Sequence, residues 1–175
     1  MNNSQIITIF GSGKSGPGEA TFQIAAETGR VLAEKGFTIA NGGYGGTMLA
    51  AAEAAARAGG RVIGVTCSAF KSTANEYVTE EIVTDTLQQR LNKLVELANA
   101  YIVLPGGTGT LLELAQVWEL KNKRFPGTDK PIIIIGGSWK PLTNLMAGAD
   151  AECIDCIRTV DSPDQAVEIL TEYFN

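Results

Sequence analysis

The chain has 175 residues, of which 45% are hydrophobic and 19% charged, and its formal net charge is −5. This composition excludes wholesale disorder, and the length suits one domain with a sizeable hydrophobic core. The acidic balance argues against a general nucleic-acid or anionic-membrane surface. The sequence has no histidine, which excludes mechanisms that need an imidazole, including the Ser-His-Asp triad, the Cys-His pair and His-ligated zinc.

Apolar, strand-like runs alternate with helical patterns along the chain. Residues 66–80 interrupt this alternation and are predicted to form a polar loop. Ser162 and Pro163 have the residue types preferred at the N-cap and the first position of a helix. The predicted elements are, in chain order, strand 6–10, helix 19–35, strand 37–40, an alanine-rich helix ending near residue 58, strand 61–65, helix 86–98, strand 101–104, helix 111–121, strand 131–135, strand 156–160 and helix 164–174.

Continuous apolar strands separated by helices indicate a parallel sheet that is covered on both faces. The sequence shows no internal repeat, linker or low-complexity segment. We therefore predict a single doubly wound, Rossmann-like α/β domain over residues 1–175, with a mainly parallel sheet.

Three cysteines are too few for a disulfide framework, although Cys153 and Cys156 form a C-x-x-C pair. A zinc site would need further ligands from Cys67 or carboxylates, and a redox pair would be expected at the start of a helix. We therefore expect ordinary, partly buried cysteines and no metal site.

Residues 1–5 lack a signal-peptide pattern, and no apolar run approaches the roughly 18 residues that cross a bilayer. A cytoplasmic protein with no membrane partner is the expectation.

Glycine-rich turns follow three of the predicted strands, at residues 11–16, 42–46 and 106–109. The carboxyl ends of parallel strands share one edge of the sheet, where ligands bind. Each turn opens a helix, whose free amides and positive dipole end favour an anion such as a phosphate. Alternatively, each glycine serves only a tight turn.

The first turn superficially matches two nucleotide-binding motifs. Gly11, Gly13 and Gly16 fit G-x-G-x-x-G, but the second strand ends at Asn41 instead of an acidic residue that could hold a ribose, which disfavours NAD. The same turn imitates the end of a Walker A motif, yet Thr8 stands where the leading glycine is required. A P-loop NTPase is therefore rejected.

Residues 105–113 fit the pattern P-G-G-x-G-T-x-x-E, and residues 7–12, 41–48, 60–65 and 130–131 accompany it in order. Together they resemble the LOG family, which is named after the plant "Lonely guy" cytokinin-activating enzymes. The resemblance implies a phosphoribohydrolase, which cleaves the N-glycosidic bond of a nucleoside 5'-monophosphate to free base and ribose 5-phosphate. It also implies a homodimer or larger assembly and no cofactor. Family members are often labelled lysine decarboxylase, but no lysine here lies in a recognisable pyridoxal phosphate motif.

The resemblance gives Glu113 the role of catalytic carboxylate. One turn past the phosphate loop, this carboxylate could stabilise oxocarbenium-like charge and position a water, and the positive helix end should keep it ionised. Alternatively, Thr110 and Glu113 form only a capping box, T-x-x-E, at a helix start.

Arg90 is the second catalytic candidate, as the residue that orients the nucleotide and offsets charge near the leaving base. The family has Met-His-x-Arg-Lys here, whereas this sequence has Leu87-Gln-Gln-Arg-Leu91, so that only the arginine is retained. The alternative is a solvated arginine on a helix face. The expected phosphate- and nucleotide-binding residues are Gly11, Ser12, Gly43, Met48, Gly106, Gly107, Thr108, Gly109 and Thr110.

Two further departures concern recognition of the base. Leu112 replaces the first residue of a glutamate doublet common in cytokinin-type members, and the stretch around Trp118 also differs. We interpret Trp118 as core or dimer surface instead of a base-stacking residue.

The expected reaction is hydrolysis of a purine nucleoside monophosphate, with AMP or an N6-modified AMP as the small-molecule substrate. The alternatives are a carrier of the molybdenum cofactor and a nucleotide sensor without chemistry.

Overall fold

The computed structural model describes residues 4–175, so that residues 1–3 of the N-terminal segment assessed for a signal peptide lie outside the described residues. The strands of the described part are β1 (Ile6–Phe10), β2 (Thr38–Asn41), β3 (Val62–Cys67), β4 (Glu80–Thr84), β5 (Ala100–Val103), β6 (Ile132–Ile135) and β7 (Arg158–Val160). The α-helices are α1 (Ala20–Glu34), α2 (Thr47–Arg57), α3 (Leu87–Leu97), α4 (Thr108–Asn122), α5 (Lys140–Ala149) and α6 (Pro163–Phe174), and a 3₁₀ helix spans Ala151–Cys156.

The strands form one parallel sheet in the order β4-β3-β2-β1-β5-β6-β7. Alternate residues of a strand therefore enter different cores, as Ile133 and Ile135 pack with α1, α2 and α6 while Ile132 and Ile134 pack with α3, α4 and the 3₁₀ helix. Burial on both faces explains why these strands are continuously apolar in the sequence. The prediction of a doubly wound α/β fold is confirmed.

The chain reverses its direction of travel across the sheet at β1, which pairs with β2 on one side and β5 on the other. The loops that follow these three central strands are the three glycine-rich turns. They therefore meet at the edge where doubly wound folds bind ligands.

The edge strand β4 and the helix α5 were not predicted. In β4 the exposed Glu81 and Val83 alternate with less exposed neighbours, and its glutamates hide the strand pattern. Helix α5 is short, its N-cap residue Trp139 makes no side-chain cap bond, and a glycine lies near its end, so that its helical pattern is weak in the sequence. None of the helices in the described part of the chain has the length and apolar character that a membrane crossing requires.

The end of the chain differs in one detail from prediction. The strand expected over residues 156–160 begins only at Arg158, because residues Ala151–Cys156 turn into a 3₁₀ helix. The predicted cap of the last helix is confirmed, since the Ser162 side chain accepts a hydrogen bond from the Gln165 amide and Pro163 is the first helical residue.

Candidate functional site

The turn between β5 and α4 presents backbone amides to solvent. Gly107 is the N-cap residue of α4, and the first intrahelical bond runs from the Leu111 amide to the Gly107 carbonyl at 2.9 Å. Residues 106–109 are exposed, and a Cβ at Gly107 or Gly109 would meet no atom within 4 Å. The first-turn amides of Thr108 and Gly109 have no intrahelical acceptor and lie in this exposed turn, as an anion site requires.

The helix start excludes one of the two interpretations of Glu113, the capping box. Because α4 begins at Thr108, Thr110 lies inside its first turn and cannot be the N-cap residue. The capping box of Thr110 and Glu113 was therefore the wrong alternative. The buried Thr110 side chain instead lies against Gly106, where any Cβ would overlap it.

The turns after β1 and β2 are packed against each other. The Thr47 amide and hydroxyl both donate to the Ser12 carbonyl, at 2.8 and 3.1 Å, and the Ser12 hydroxyl accepts from the Lys14 amide at 3.1 Å. Gly46 has a φ of +66°, and a Cβ there would overlap the backbone of residues 12 and 13. Gly11 also lies close to Thr47. The two turns therefore form one continuous wall of the site.

Gly43 and Met48 belong to this wall in different ways. The Gly43 amide donates to Asn41 Oδ1 at 2.8 Å, and its carbonyl accepts from the Asn75 amide at 2.7 Å. Both backbone polar groups of this residue are thus used inside the protein, so that Gly43 acts on the site through the shape of its loop. The Met48 sulfur, by contrast, lies 4.0 Å from Nη2 of Arg90.

Arg90 and Glu113 meet at this edge from two different helices. Arg90 is in the first turn of α3, which begins with a capping box between Thr86 and Gln89. Nη1 of Arg90 lies 3.8 Å from Oε1 of Glu113, and the two side chains are only 9% and 13% exposed. Arg90 Nε donates to the Val65 carbonyl at 2.8 Å. The alternative of a solvated arginine is therefore wrong.

Burial decides the charge of Glu113. Removal from water raises the pKa of its carboxyl from 4.5 to about 7, and the positive charge of Arg90 opposes this only in part. The expectation that the helix end keeps Glu113 fully ionised is therefore wrong. Near neutral pH the carboxyl occurs in both forms, which suits a group that accepts and returns a proton.

Two aromatic residues that the sequence analysis did not select surround Arg90. The guanidinium carbon lies 5.6 Å from the centre of the Tyr44 ring and 6.0 Å from that of Phe70. Tyr44 interrupts the second glycine turn, and Phe70 lies in the polar loop that follows β3. The signal in the sequence that could have pointed to Tyr44 was its position as a lone aromatic residue within a glycine-rich turn.

Trp118 and the C-x-x-C pair lie away from the site. Trp118 is buried and its Nε1 donates to the Cys153 carbonyl at 2.7 Å, which confirms its interpretation as a core residue. Cys67, Cys153 and Cys156 are free thiols, and burial raises the pKa of Cys153 and Cys156. Within residues 4–175, no cluster of three or more histidine, cysteine or acidic side chains is placed to hold a metal.

A model of the SLOG cluster4 family matches residues 4–166. The chain belongs to the SLOG cluster4 family. A relative from Mycobacterium tuberculosis, named cytokinin riboside 5'-monophosphate phosphoribohydrolase, is 38% identical over 117 residues, which span 65% of this chain and 61% of that protein. A protein of the same name from Rhodococcoides fascians is 31% identical over 83% of this chain and 76% of its own length. These relatives confirm the resemblance of this SLOG chain to the LOG family.

Solved structures of other proteins share the fold of this chain over nearly its whole length. The molybdenum cofactor binding protein of Rippkaea orientalis superimposes with a TM-score of 0.82 and 25% identity over 100% of both chains. The molybdenum cofactor carrier protein of Chlamydomonas reinhardtii does so with a TM-score of 0.78 and 26% identity over 97% of each chain. Sequence relatives of this chain are thus named as enzymes, and solved structures with its fold are named as cofactor-binding or carrier proteins.

Proposed function

We propose that the protein hydrolyses the N-glycosidic bond of a nucleoside 5'-monophosphate, releasing the free base and ribose 5-phosphate. The observation that carries this proposal is the buried pair of Arg90 and Glu113 beside the open first turn of α4. Glu113 follows Thr108 by five helical residues, a rise of about 7.5 Å. A phosphate bound at the helix start would thus place its ribose near the carboxylate.

Each part of the site has a defined role in this reaction. The amides of Thr108 and Gly109 bind the phosphate, and ionised Glu113 stabilises the positive charge that develops at C1' of the ribose. Glu113 also orients a water and accepts its proton as the water oxygen bonds to C1'. The C1'–N electron pair leaves with the base, and solvent protonates that nitrogen. Glu113 then releases to solvent the proton that it took from the water, so that protons balance over the cycle. Arg90 holds the carboxylate in place and balances its charge.

The finer substrate assignment rests on the named relatives. Since several of them are cytokinin riboside 5'-monophosphate phosphoribohydrolases, we propose AMP or an N6-modified AMP as the substrate. Leu112 and the stretch around Trp118 depart from the usual pattern, and a panel of bases is therefore required to name the base.

Binding of the molybdenum cofactor without turnover is the second candidate. It is supported by the two structures named for this cofactor, which align with 97% or more of the chain. The same amides would then hold the phosphate of the pterin. No bond would be broken, and the ligand would be recovered intact.

We further propose that the protein forms a homodimer through the outer face of α4. Leu111 and Leu112 are 36% and 45% exposed there, next to the helix start that forms the anion site. Covering them would stabilise an assembly through apolar burial. Light scattering should give twice the monomer mass for the wild type and a lower mass for Leu112→Glu; a wild-type monomer would contradict the dimer.

A panel of nucleoside 5'-monophosphates tests the enzymatic proposal. Each is incubated with the wild type, with Glu113→Gln and with Glu119→Gln, and the products are separated chromatographically. Glu119 is the matched control, since it lies on the same helix but is exposed and pairs only loosely with Lys123 at 4.0 Å. Free base is expected from the wild type and Glu119→Gln but not from Glu113→Gln. Intact nucleotides in all samples would contradict hydrolysis and favour the carrier, which stoichiometric binding of the molybdenum cofactor would then support.

A further inference from the structure

Arg90 is anchored directly at only part of its guanidinium. Nε donates to the Val65 carbonyl at 2.8 Å, while Nη1 lies 3.8 Å from Glu113, beyond hydrogen-bond distance. An arginine held at one edge still needs contacts with its flat faces to fix its plane. The ring of Tyr44, 5.6 Å from the guanidinium carbon, supplies such a contact.

Tyr44 is itself fixed to the end of strand β3. Its hydroxyl accepts from the Cys67 amide at 2.7 Å and donates to the Cys67 carbonyl at 3.2 Å. The same carbonyl accepts from the Phe70 amide at 2.9 Å, which places the Phe70 ring 6.0 Å from that of Tyr44. Cys67 thus connects both rings to the strand whose Val65 carbonyl holds Arg90.

The backbone of Tyr44 is fixed from a second direction. Asn75 Nδ2 donates to the carbonyls of Gly43 and Tyr44 at 3.0 and 2.9 Å. Asn75, in the loop after β3, therefore holds the backbone at Gly43 and Tyr44, while Cys67, at the end of β3, holds the Tyr44 side chain. This leaves the Tyr44 ring little freedom to withdraw from Arg90.

The geometry points to Tyr44 as the positioning residue that holds the Arg90 guanidinium beside Glu113. This inference rests on the proposed function, because it explains how the proposed catalytic pair is kept in place. Tyr44 acts through Arg90 and takes no part in bond breaking. A purely structural tyrosine, which only joins a turn to a strand, would affect folding but not the relation between Arg90 and Glu113.

The test follows the ionisation of Glu113 in the free protein, so that it does not depend on any substrate. Protein labelled with ¹³C-glutamate is titrated by NMR, and the Glu113 signal is assigned from its absence in Glu113→Gln. Tyr44 and Cys67 are the titratable neighbours on the loops around Arg90, and Arg90 is the charged group that acts on Glu113 among the residues described. Tyr44→Leu and Tyr44→Phe are compared with Tyr77→Leu, a matched change at a tyrosine that packs on the opposite core.

Loss of the ring should free Arg90 and raise the pKa of Glu113 in Tyr44→Leu. Tyr44→Phe keeps the ring but loses its hydrogen bonds to Cys67, so that it should raise this pKa less, and Tyr77→Leu should keep the wild-type titration. In an Arg90→Gln background, Tyr44→Leu should cause no further rise. If Arg90→Gln raises the pKa of Glu113 but Tyr44→Leu does not, the inference is overturned. Where the protein also hydrolyses nucleotides, Tyr44→Leu should lower kcat about ten- to a hundredfold with little change in KM; absence of turnover in the wild type would contradict the proposed function alone.

A measurement on the wild type covers the case in which Tyr44→Leu fails to fold. Protons of the Arg90 side chain should be shifted upfield by the ring current of Tyr44, and its Nε–H signal should exchange slowly with water. An Arg90 side chain with unshifted, rapidly exchanging signals would overturn the inference without any variant.

Discussion

Gly42 leaves the space that the Arg90 guanidinium occupies. A Cβ at Gly42 would overlap Nη2 of Arg90 and crowd the sulfur of Met48. Gly42 directly follows β2, and Arg90 comes from α3, so that the two approach only because β2 and β3 are neighbours in the sheet. The glycine turn after β2 thus has a role beyond chain reversal, since it admits a charged side chain to the site.

Replacing Gly42 by alanine should therefore displace Arg90 from Glu113. The backbone of Gly42 is outside the positive-φ region, and the overlapping atom is the end of a flexible side chain, so that the protein should fold with a modest loss of stability. We expect kcat/KM for the nucleotide to fall about a hundredfold. Gly45→Ala is the control, because the nearest atom to a Cβ there is 3.9 Å away; equal activity in both variants would contradict the prediction.

Hydrolysis should depend on the ionisation of Glu113. Because the proposed reaction uses the carboxylate, and its pKa is about 7, kcat/KM should rise with pH up to about 7 and then become constant. Arg90→Gln should move this inflection to higher pH, since the opposing positive charge is lost. A rate profile that is flat between pH 5 and 9 would exclude Glu113 as the base.

The same carboxyl should make folding stability depend on pH. The pKa of Glu113 is about 7 in the folded protein and near 4.5 when exposed, so that the folded state binds the proton more tightly. The free energy of unfolding should therefore fall between pH 4.5 and 7, by about 3 kcal/mol at most, and stay level above that. Glu113→Gln removes this contribution. Its stability relative to the wild type, from urea unfolding, should increase over this range, and a constant difference would contradict the raised pKa.

Trp139 should support the loop before α4, which we propose to bind the phosphate. Its Nε1 donates to the Leu104 carbonyl at 3.0 Å, just before the turn that opens α4. Trp139→Phe removes this donor and should cost about 1–3 kcal/mol in urea unfolding, with a several-fold rise in KM for the nucleotide.

Trp118→Phe is the matched control for Trp139→Phe, because Trp118 Nε1 likewise donates to a backbone carbonyl, at Cys153. It should lower stability by a similar amount and leave KM unchanged. A rise in KM in both variants would mean that general destabilisation, and not the loop, is responsible.

The pattern of the strands and the three glycine turns could be predicted because it is encoded locally. The run Ile132–Ile135 is apolar at every position since both faces of its strand are buried. Helix caps show the limit of this local information. Thr86 with Gln89 and Thr110 with Glu113 have the same spacing, yet only the first forms a capping box, because the helix boundary depends on how the preceding strand ends.

By itself, the sequence determined the alternating architecture, the three glycine-rich turns and the choice of Glu113 and Arg90 as candidates. Only the tertiary structure decided that these two side chains meet at 3.8 Å, that burial and not the helix end controls the pKa of Glu113, and that Tyr44 and Phe70 surround the arginine. Apolar patterning and turn chemistry act between near neighbours in the chain. Desolvation and charge pairing depend instead on atoms that the parallel sheet brings together from distant segments.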